Sequence, residues 1–304
     1  MIVALLLTVS IAGADALNEE WVTRDTAGIE ALLSLMPVES RTAAELTVAG
    51  AGARCSTEKH DLGFGGELLE VRWPHGYSYT HALVVLFEGR VASYEISVEG
   101  SAGTWKQLRR RYRDAWERSG GPRYEESDCA LRYRMTVEPL MDSLLAAVAK
   151  ELGPVRPVKV PRWAREAYRN LTSPSILIPI SEGPVGYAGI SREEGPHLDE
   201  LIAEGRIAVV ENVLRSPNPQ GRVYATLALL KAKDAGRKLS AETERAMEAV
   251  AQLSTPIASQ EGCMVTGGRS ASSVIAEFRS RSTADRSSGE QSQVHKKGRT
   301  SISR

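Results

Sequence analysis

Two neighbouring stretches in the N-terminal half alternate between apolar and polar residues and give the clearest local pattern in the chain. Residues 81–87 and 90–98 flank Glu88-Gly89, which is the two-residue spacing of a tight β-hairpin. Every second residue from Ala92 to Val98 is apolar, so this strand has one buried face and one solvated face. Weaker patterns predict two further strands, at residues 67–73 and 128–135.

Apolar residues spaced three and four apart predict helices in the same half of the chain. One helix is expected after Asp25, which we interpret as its N-cap, and it stops at Pro37. Others are predicted at residues 104–119 and 138–152. Strands and helices are therefore interleaved. The pattern predicts an α+β domain over residues 17–153, an antiparallel sheet covered by helices on one face.

The composition of the chain changes after this domain. Pro154, Pro157 and Pro161 predict a semi-rigid connector, which continues as an extended loop to residue 195. Residues 196–266 then have a mainly helical pattern. We therefore predict a domain boundary near residue 154 and a small all-α domain beyond the connector.

Part of the helical domain carries features of a known repeat. The turn Asn218-Pro219 follows a helix that ends at Leu214, Arg222 lies three residues after the proline, and small residues such as Ala225 follow. In these features residues 204–234 resemble one HEAT repeat. The resemblance implies a helical hairpin whose surface holds a protein partner. Arrays of such repeats need about three units, and an ordinary helical hairpin would give the same pattern. The chain as a whole resembles no family.

Composition excludes several classes of protein. The chain has 304 residues, of which 42% are hydrophobic. Its 26 Gly, 14 Pro and 3 Cys exclude a fibrous protein, a multispan membrane protein and a small disulfide scaffold.

The 38 basic and 38 acidic side chains balance overall but are unevenly distributed along the chain. Residues 269–304 hold eight basic and three acidic side chains. We expect residues 267–304 to form a disordered basic tail, rich in Ser and Arg, because they hold too few large apolar side chains to offset the entropy of ordering. Deletion after Gly268 is accordingly expected to leave function and the thermal midpoint almost unchanged. The alternative is that residues 274–278 dock as a short amphipathic turn beside Cys263, in which case this deletion would lower the midpoint by several degrees.

The first sixteen residues have the pattern of a targeting segment. Residues 2–12 are almost all apolar, and Ala14-Asp15-Ala16 places small residues where a signal peptidase cleaves. We predict a signal peptide over residues 1–16 and export to the periplasm or the medium. No basic residue precedes the apolar run. There are two alternatives. The segment is an uncleaved membrane anchor, or the protein is cytoplasmic and its start codon is wrongly assigned.

Export would place three cysteines in an oxidising compartment. Cys55 and Cys129 both lie next to predicted strands of one sheet, so we predict a disulfide between them and a leftover Cys263. If the chain is not exported, three reduced thiols are expected instead.

Catalytic motifs are weak or absent in the sequence, so we assign no catalytic residue, cofactor or metal. Residues 99–103 have Glu99 where a serine-hydrolase motif needs glycine, and the Gly-rich residues 62–66 run into a strand without an adjacent lysine. The closest histidines are His75 and His81, with His60 upstream. They define a candidate site, although a capping residue and a half-buried ring are the ordinary interpretation.

Two hypotheses about function follow. The favoured one is an exported, non-catalytic protein that presents surfaces to a protein partner through its helical domain. The alternative is a hydrolase outside the cytoplasm with a site near His75 and His81. The helix at 104–119 also predicts weak binding to an anionic surface, without specific nucleic-acid recognition. Its cations are Arg109, Arg110, Arg111 and Arg113.

Overall fold

The computed structural model describes residues 17–34, 45, 55–73, 76–180, 194–261 and 264–281. The predicted signal peptide, His75, Cys263 and residues 282–304 lie outside this part of the chain.

The N-terminal half forms a six-stranded antiparallel sheet with the order β1-β2-β3-β4-β6-β5. The strands are β1 (Ser56–Gly63), β2 (Gly66–Arg72), β3 (Ser78–Phe87), β4 (Arg90–Gly100), β5 (Glu125–Glu126) and β6 (Ala130–Thr136). The helices of this half are α1 (Glu19–Ser34), α2 (Ala102–Arg118) and α3 (Glu138–Leu152). The predicted α+β fold is therefore confirmed. The helices cover both faces, since α1 and α2 pack on one side and α3 on the other.

The β3–β4 hairpin turns where the sequence predicts it. Glu88 and Gly89 have φ angles of 49° and 77°, the left-handed pair that matches the twist of a two-residue hairpin. The β1–β2 hairpin was not predicted. Its turn at 63–65 also uses positive φ angles, but most of β1 is exposed and polar, which leaves no alternation for sequence analysis to detect.

One face of the sheet, which we call the closed face, is fully covered. The apolar stripe of α2, which includes Trp105, Tyr112 and Trp116, packs on it together with Ile29 and Leu32 of α1. The sheet contributes buried apolar side chains from alternate positions. These are Leu69, Val71, Ala82, Val84, Leu86, Ile96 and Val98.

Asp25 is the polar anchor of the closed face. It lies inside α1, which begins at Glu19, so the interpretation of Asp25 as an N-cap is corrected. Its buried carboxylate accepts hydrogen bonds from the backbone amides of Gly76, Tyr77 and Ser78 and from the Tyr112 hydroxyl, at 2.8, 2.8, 3.2 and 2.6 Å. Burial is the main cause of a raised pKa of Tyr112, and the hydrogen bond to Asp25 raises this pKa further. One carboxylate thus joins α1, α2 and the start of β3.

The C-terminal half is mainly helical. After a 3-10 turn (Arg162–Ala164), it contains α4 (Arg165–Thr172), α5 (Glu194–Ala203), α6 (Ile207–Leu214), α7 (Pro219–Asp234) and α8 (Ala241–Ala251). A hairpin of β7 (Pro256–Glu261) and β8 (Met264–Ser270) follows, and then helix α9 at 271–281. Among the described residues, no helix is both long and apolar enough to span a bilayer.

Asn218 organises the turn between α6 and α7, the two helices predicted around it. Its side-chain oxygen accepts a hydrogen bond from the amide of Gly221 at 2.9 Å, which caps α7. Its side-chain nitrogen donates to the carbonyls of Asn170, Ser173 and Ile176 at 3.0, 2.8 and 2.6 Å. The turn therefore also fixes the end of α4 and the segment after it.

Arg222 joins the helical region to the sheet. Its buried guanidinium donates to the carbonyls of Ser216 and Leu62 and lies 4.9 Å from the centre of the Phe64 ring. Burial lowers the pKa of Arg222 to about 9, and the charge of Asp61 opposes this effect. Around these contacts one apolar cluster runs from the sheet through α3 into the helical region. The chain before and after the predicted boundary near 154 thus shares a core.

Residues 267–281, which were predicted as the start of a disordered tail, form regular secondary structure. Strand β8 extends to Ser270, and α9 buries Ala271, Val274 and Ile275 in the shared apolar cluster. The backbone amides of Ala271 and Ser272 donate to the carbonyls of Thr255 and Leu253. The disordered tail was the favoured prediction because 271–278 holds few apolar residues, but neighbouring elements supply a surface for them, as the alternative of a docked amphipathic turn at 274–278 expected.

Candidate functional site: a charged groove beside the sheet

The second face of the sheet is covered at one end only. At the covered end Leu62, Leu68 and Val85 pack against Leu144 and Val148 of α3. The other end carries polar and charged side chains and lines a groove. We call this uncovered end the charged face.

Strand register places the residues of the charged face in rows. Arg72, His81, Ser97 and Arg132 are opposite one another on β2, β3, β4 and β6. The next row runs across five strands. It contains Glu58, Glu70, Leu83, Glu95 and Arg134. Because alternate residues of a strand share a face, the sequence spacing of two on each strand brings these side chains together.

Each arginine of the charged face pairs with a glutamate. Arg134 Nε lies 2.6 Å from a carboxylate oxygen of Glu95. Arg132 Nη2 lies 2.5 Å from Glu99. Arg72 and Glu70 form a two-point pair, with Nε–Oε1 and Nη2–Oε2 distances of 2.6 and 2.5 Å.

Glu70 has the most structured surroundings of these carboxylates. Burial opposes its charged form, but the hydrogen bonds and charge of Arg72 and a 3.0 Å hydrogen bond from the Tyr79 hydroxyl together lower its pKa. Burial and the adjacent Glu70 charge raise the pKa of Tyr79 to about 12. At neutral pH Glu70 is therefore ionised and Tyr79 is protonated.

His81 lies in the middle of this face and is buried. Its ring nitrogens are 3.1 and 3.2 Å from the hydroxyl oxygen of Ser97, and its ring centre is 4.6 Å from that of Tyr79. Burial lowers the pKa of His81, against the opposing charges of Glu99, Glu70 and Glu95. Ser97 is fully buried, whereas His81 lines the groove, so the pair does not present an accessible hydroxyl to a substrate.

The groove is a cavity of about 1280 Å³ between the charged face and the C-terminal half. Its opposite wall includes residues 173–177, Gln220 and parts of β7 and β8. Gln220 is buried, and its side-chain oxygen has no hydrogen-bond partner among the described residues. The groove thus combines a charged floor with a wall of mainly small, apolar and uncharged polar residues, to which Arg169 adds one positive charge.

Several predicted site residues do not come together. Of the two candidate histidines, His81 lines the groove and His75 lies outside the described residues. Cys55 precedes β1 and Cys129 precedes β6, and β2, β3 and β4 lie between those strands. At about 4.8 Å per strand this separation is about 19 Å, beyond the roughly 7 Å limit for Cα atoms of a disulfide, so the arrangement does not support the predicted bond.

The cations predicted on α2 are partly engaged by acidic neighbours. Arg111 pairs with Glu19 at 2.8 Å, and Arg113 pairs with Glu126 at 2.5 Å. Arg109 and Arg110 are exposed. The basic surface is therefore smaller than the sequence suggests.

Glu58 was missed, and His60 was noted only as lying upstream of the candidate histidines, because strand β1 was not predicted. A polar stretch with an occasional histidine gives no strand signal, and only the register to β2 shows that His60 and Glu58 share a face with Glu70. No protein-family model, no curated protein and no solved structure matches the chain.

Proposed function

We propose that this is a non-catalytic binding protein whose groove holds an extended peptide with both acidic and basic side chains. The observation that carries the proposal is the set of three ion pairs on the floor of the groove, Glu70–Arg72, Glu99–Arg132 and Glu95–Arg134.

The size of the floor suits a short extended segment. From Glu58 on β1 to Arg134 on β6 the row crosses four strand spacings, or about 19 Å at about 4.8 Å each. An extended chain advances about 3.3 Å per residue, so about six residues would span it.

The paired side chains retain capacity to bind. A guanidinium has five N–H donors, and each carboxylate has about four lone-pair sites, so a two-point pair uses only part of either set. A peptide with charges of both signs would find a complementary partner without loss of the existing ion pairs.

The electrostatics also favour binding over acid catalysis at Glu70. A general acid at neutral pH needs a carboxyl group with a raised pKa. Arg72 and Tyr79 instead keep Glu70 ionised. Ser97, the hydroxyl next to His81, is buried below the groove surface.

An array of six-residue peptides with systematically varied charge patterns tests the proposal. The full chain should select peptides that contain both signs. In the double variant Glu95→Arg with Arg134→Glu the ion pair is kept but its direction is reversed, so the selected pattern should change. Reversal of the Glu19–Arg111 pair, which lies away from the groove, is the matched control. An unchanged pattern in the groove variant would contradict the proposal.

Export is a separate proposal, and it rests on the apolar run and Ala14-Asp15-Ala16 alone. Sequencing of the mature N-terminus from the native source tests it. We expect Leu17 at or near the start, and recovery of Met1 in the cytosol would contradict it.

A further inference from the structure

We propose that Glu58, His60 and Glu70 bind one zinc ion at the β1 end of the groove. The three side chains supply one imidazole and two carboxylates, a donor set suited to a divalent transition metal. This site does not depend on the peptide proposed above.

Strand pairing brings the three donors together. Glu58 and Glu70 are directly opposite on β1 and β2, and His60 is two residues after Glu58 on the same face. Two strands of a sheet therefore hold the three side chains, rather than a loop. Like charges directly opposite in a sheet are destabilising, and a cation between Glu58 and Glu70 would relieve that repulsion.

The distances are close to those of a metal site. His60 Nε2 lies 3.7 Å from a carboxylate oxygen of Glu58 and 4.0 Å from one of Glu70. The three donor atoms all lie within 4.8 Å of one another. Zinc bonds of about 2.0–2.2 Å place neighbouring tetrahedral donors about 3.4 Å apart, so small side-chain rotations would close the site. The fourth position would remain for water.

Arg72 is the natural competitor for this position. Its Nη2 atom lies 2.5 Å from Glu70 and 3.7 Å from Glu58, so a guanidinium already neutralises part of the acidic pair. The Arg72 side chain is 41% exposed and can turn toward solvent when a metal ion enters. The bond from Tyr79 would still orient Glu70, as hydrogen bonds to ligating carboxylates do in metal sites.

Calorimetric titration of the full chain with Zn²⁺ tests the site. We expect one ion per chain in this site, and a loss of affinity of at least about tenfold in His60→Ala and in Glu58→Gln. Glu95→Gln, which removes a carboxylate from the same row but outside the cluster, is the control and should bind as the wild type does. Equal binding by the wild type and His60→Ala would overturn the proposal.

Arg72→Gln gives an independent readout that misfolding cannot mimic. Removal of the competing cation should tighten Zn²⁺ binding severalfold, and unchanged or weaker binding would contradict the placement of the ion between the two glutamates. Titration with Co²⁺ identifies the ligand class. We expect a spectrum without thiolate charge-transfer bands, whereas such bands would assign the metal to cysteine and overturn the proposal.

Discussion

The two faces of the six-stranded sheet use polar groups in opposite ways. The closed face has one central polar anchor, the Asp25 carboxylate, which is 2% exposed and accepts four hydrogen bonds. The charged face carries glutamates and arginines in ion pairs that remain partly exposed. The same chemical groups therefore occur in two environments.

This difference separates stability from recognition. When a buried carboxylate loses its hydrogen-bond donors, its desolvation is no longer compensated by hydrogen bonds. The same holds for buried donors that lose their carboxylate. Partly exposed ion pairs exchange easily with water and contribute little to folding. We therefore expect the closed face to determine stability and the charged face to be free to bind a ligand.

Substitution of the buried anchor should have the largest effect. Asp25→Ala leaves three backbone amides and the Tyr112 hydroxyl without their acceptor, and we expect a loss of about 4 kcal/mol in the free energy of unfolding. Urea denaturation measures it. Asp114→Ala, at an exposed position on α2, is the control and should change stability by less than about 0.5 kcal/mol. Similar losses of unfolding free energy in the two variants would contradict the role of Asp25 as a buried anchor.

Substitutions at the covered end of the second face should destabilise the fold, as those on the closed face do. Ile275 of α9 is fully buried in the cluster shared with α3 and the sheet, so Ile275→Ala should lower the free energy of unfolding by about 3 kcal/mol.

Deletion of residues 269–304 should likewise lower the thermal midpoint by several degrees, contrary to the expectation from sequence. Calorimetric scans of this truncation and of one that removes only 282–304 separate the contribution of α9 from that of the residues beyond it. Equal midpoints for the two truncations would contradict the packing of α9.

A pH titration addresses the one buried histidine of the charged face. The pKa of His81 is lowered by burial, so the unfolded chain binds a proton more readily than the folded chain. Its contribution to stability is fully present above the ordinary pKa of about 6.5 and is lost as the pH falls through the lowered value. The groups that face it are Ser97, Tyr79, Glu70, Arg72, Glu95, Glu99 and Arg132.

We therefore expect the unfolding free energy of the wild type to fall between pH 7 and pH 5, and His81→Gln to flatten this dependence. His197→Gln, in the helical region beside Trp163, is the control and should keep the wild-type slope. An unchanged slope in His81→Gln would show that other groups dominate acid sensitivity.

The contrast between the faces also explains what the sequence could predict. The β3–β4 hairpin, the apolar stripe of α2 and the limits of α3 follow from local periodicity and turn residues, and all were predicted closely. Strand β1, the β7–β8 hairpin and α9 were not. Most of β1 is exposed and polar, and α9 has few apolar residues apart from the surface that it packs on.

The candidate site depends on the register of the strands. Glu58, Glu70, Glu95 and Arg134 share one row only because four antiparallel pairings have a particular register. A shift of one residue in any pairing would move a side chain to the other face. His81 was a candidate from sequence, but its burial and its contact with Ser97 required the structure.

The smallest expected effect is that of an ion pair on the charged face. Arg132 and Glu99 are in contact at 2.5 Å, and their side chains are 39% and 34% exposed. In a double-mutant cycle with Arg132→Gln and Glu99→Gln, solvent screening should limit the coupling energy to about 0.5 kcal/mol, and added salt should reduce it further. The variants change charge without a large change in volume, so packing is preserved. If the coupling exceeded about 2 kcal/mol, the pair would act as a structural anchor like Asp25, and the charged face would be part of the folding core rather than a surface available to a ligand.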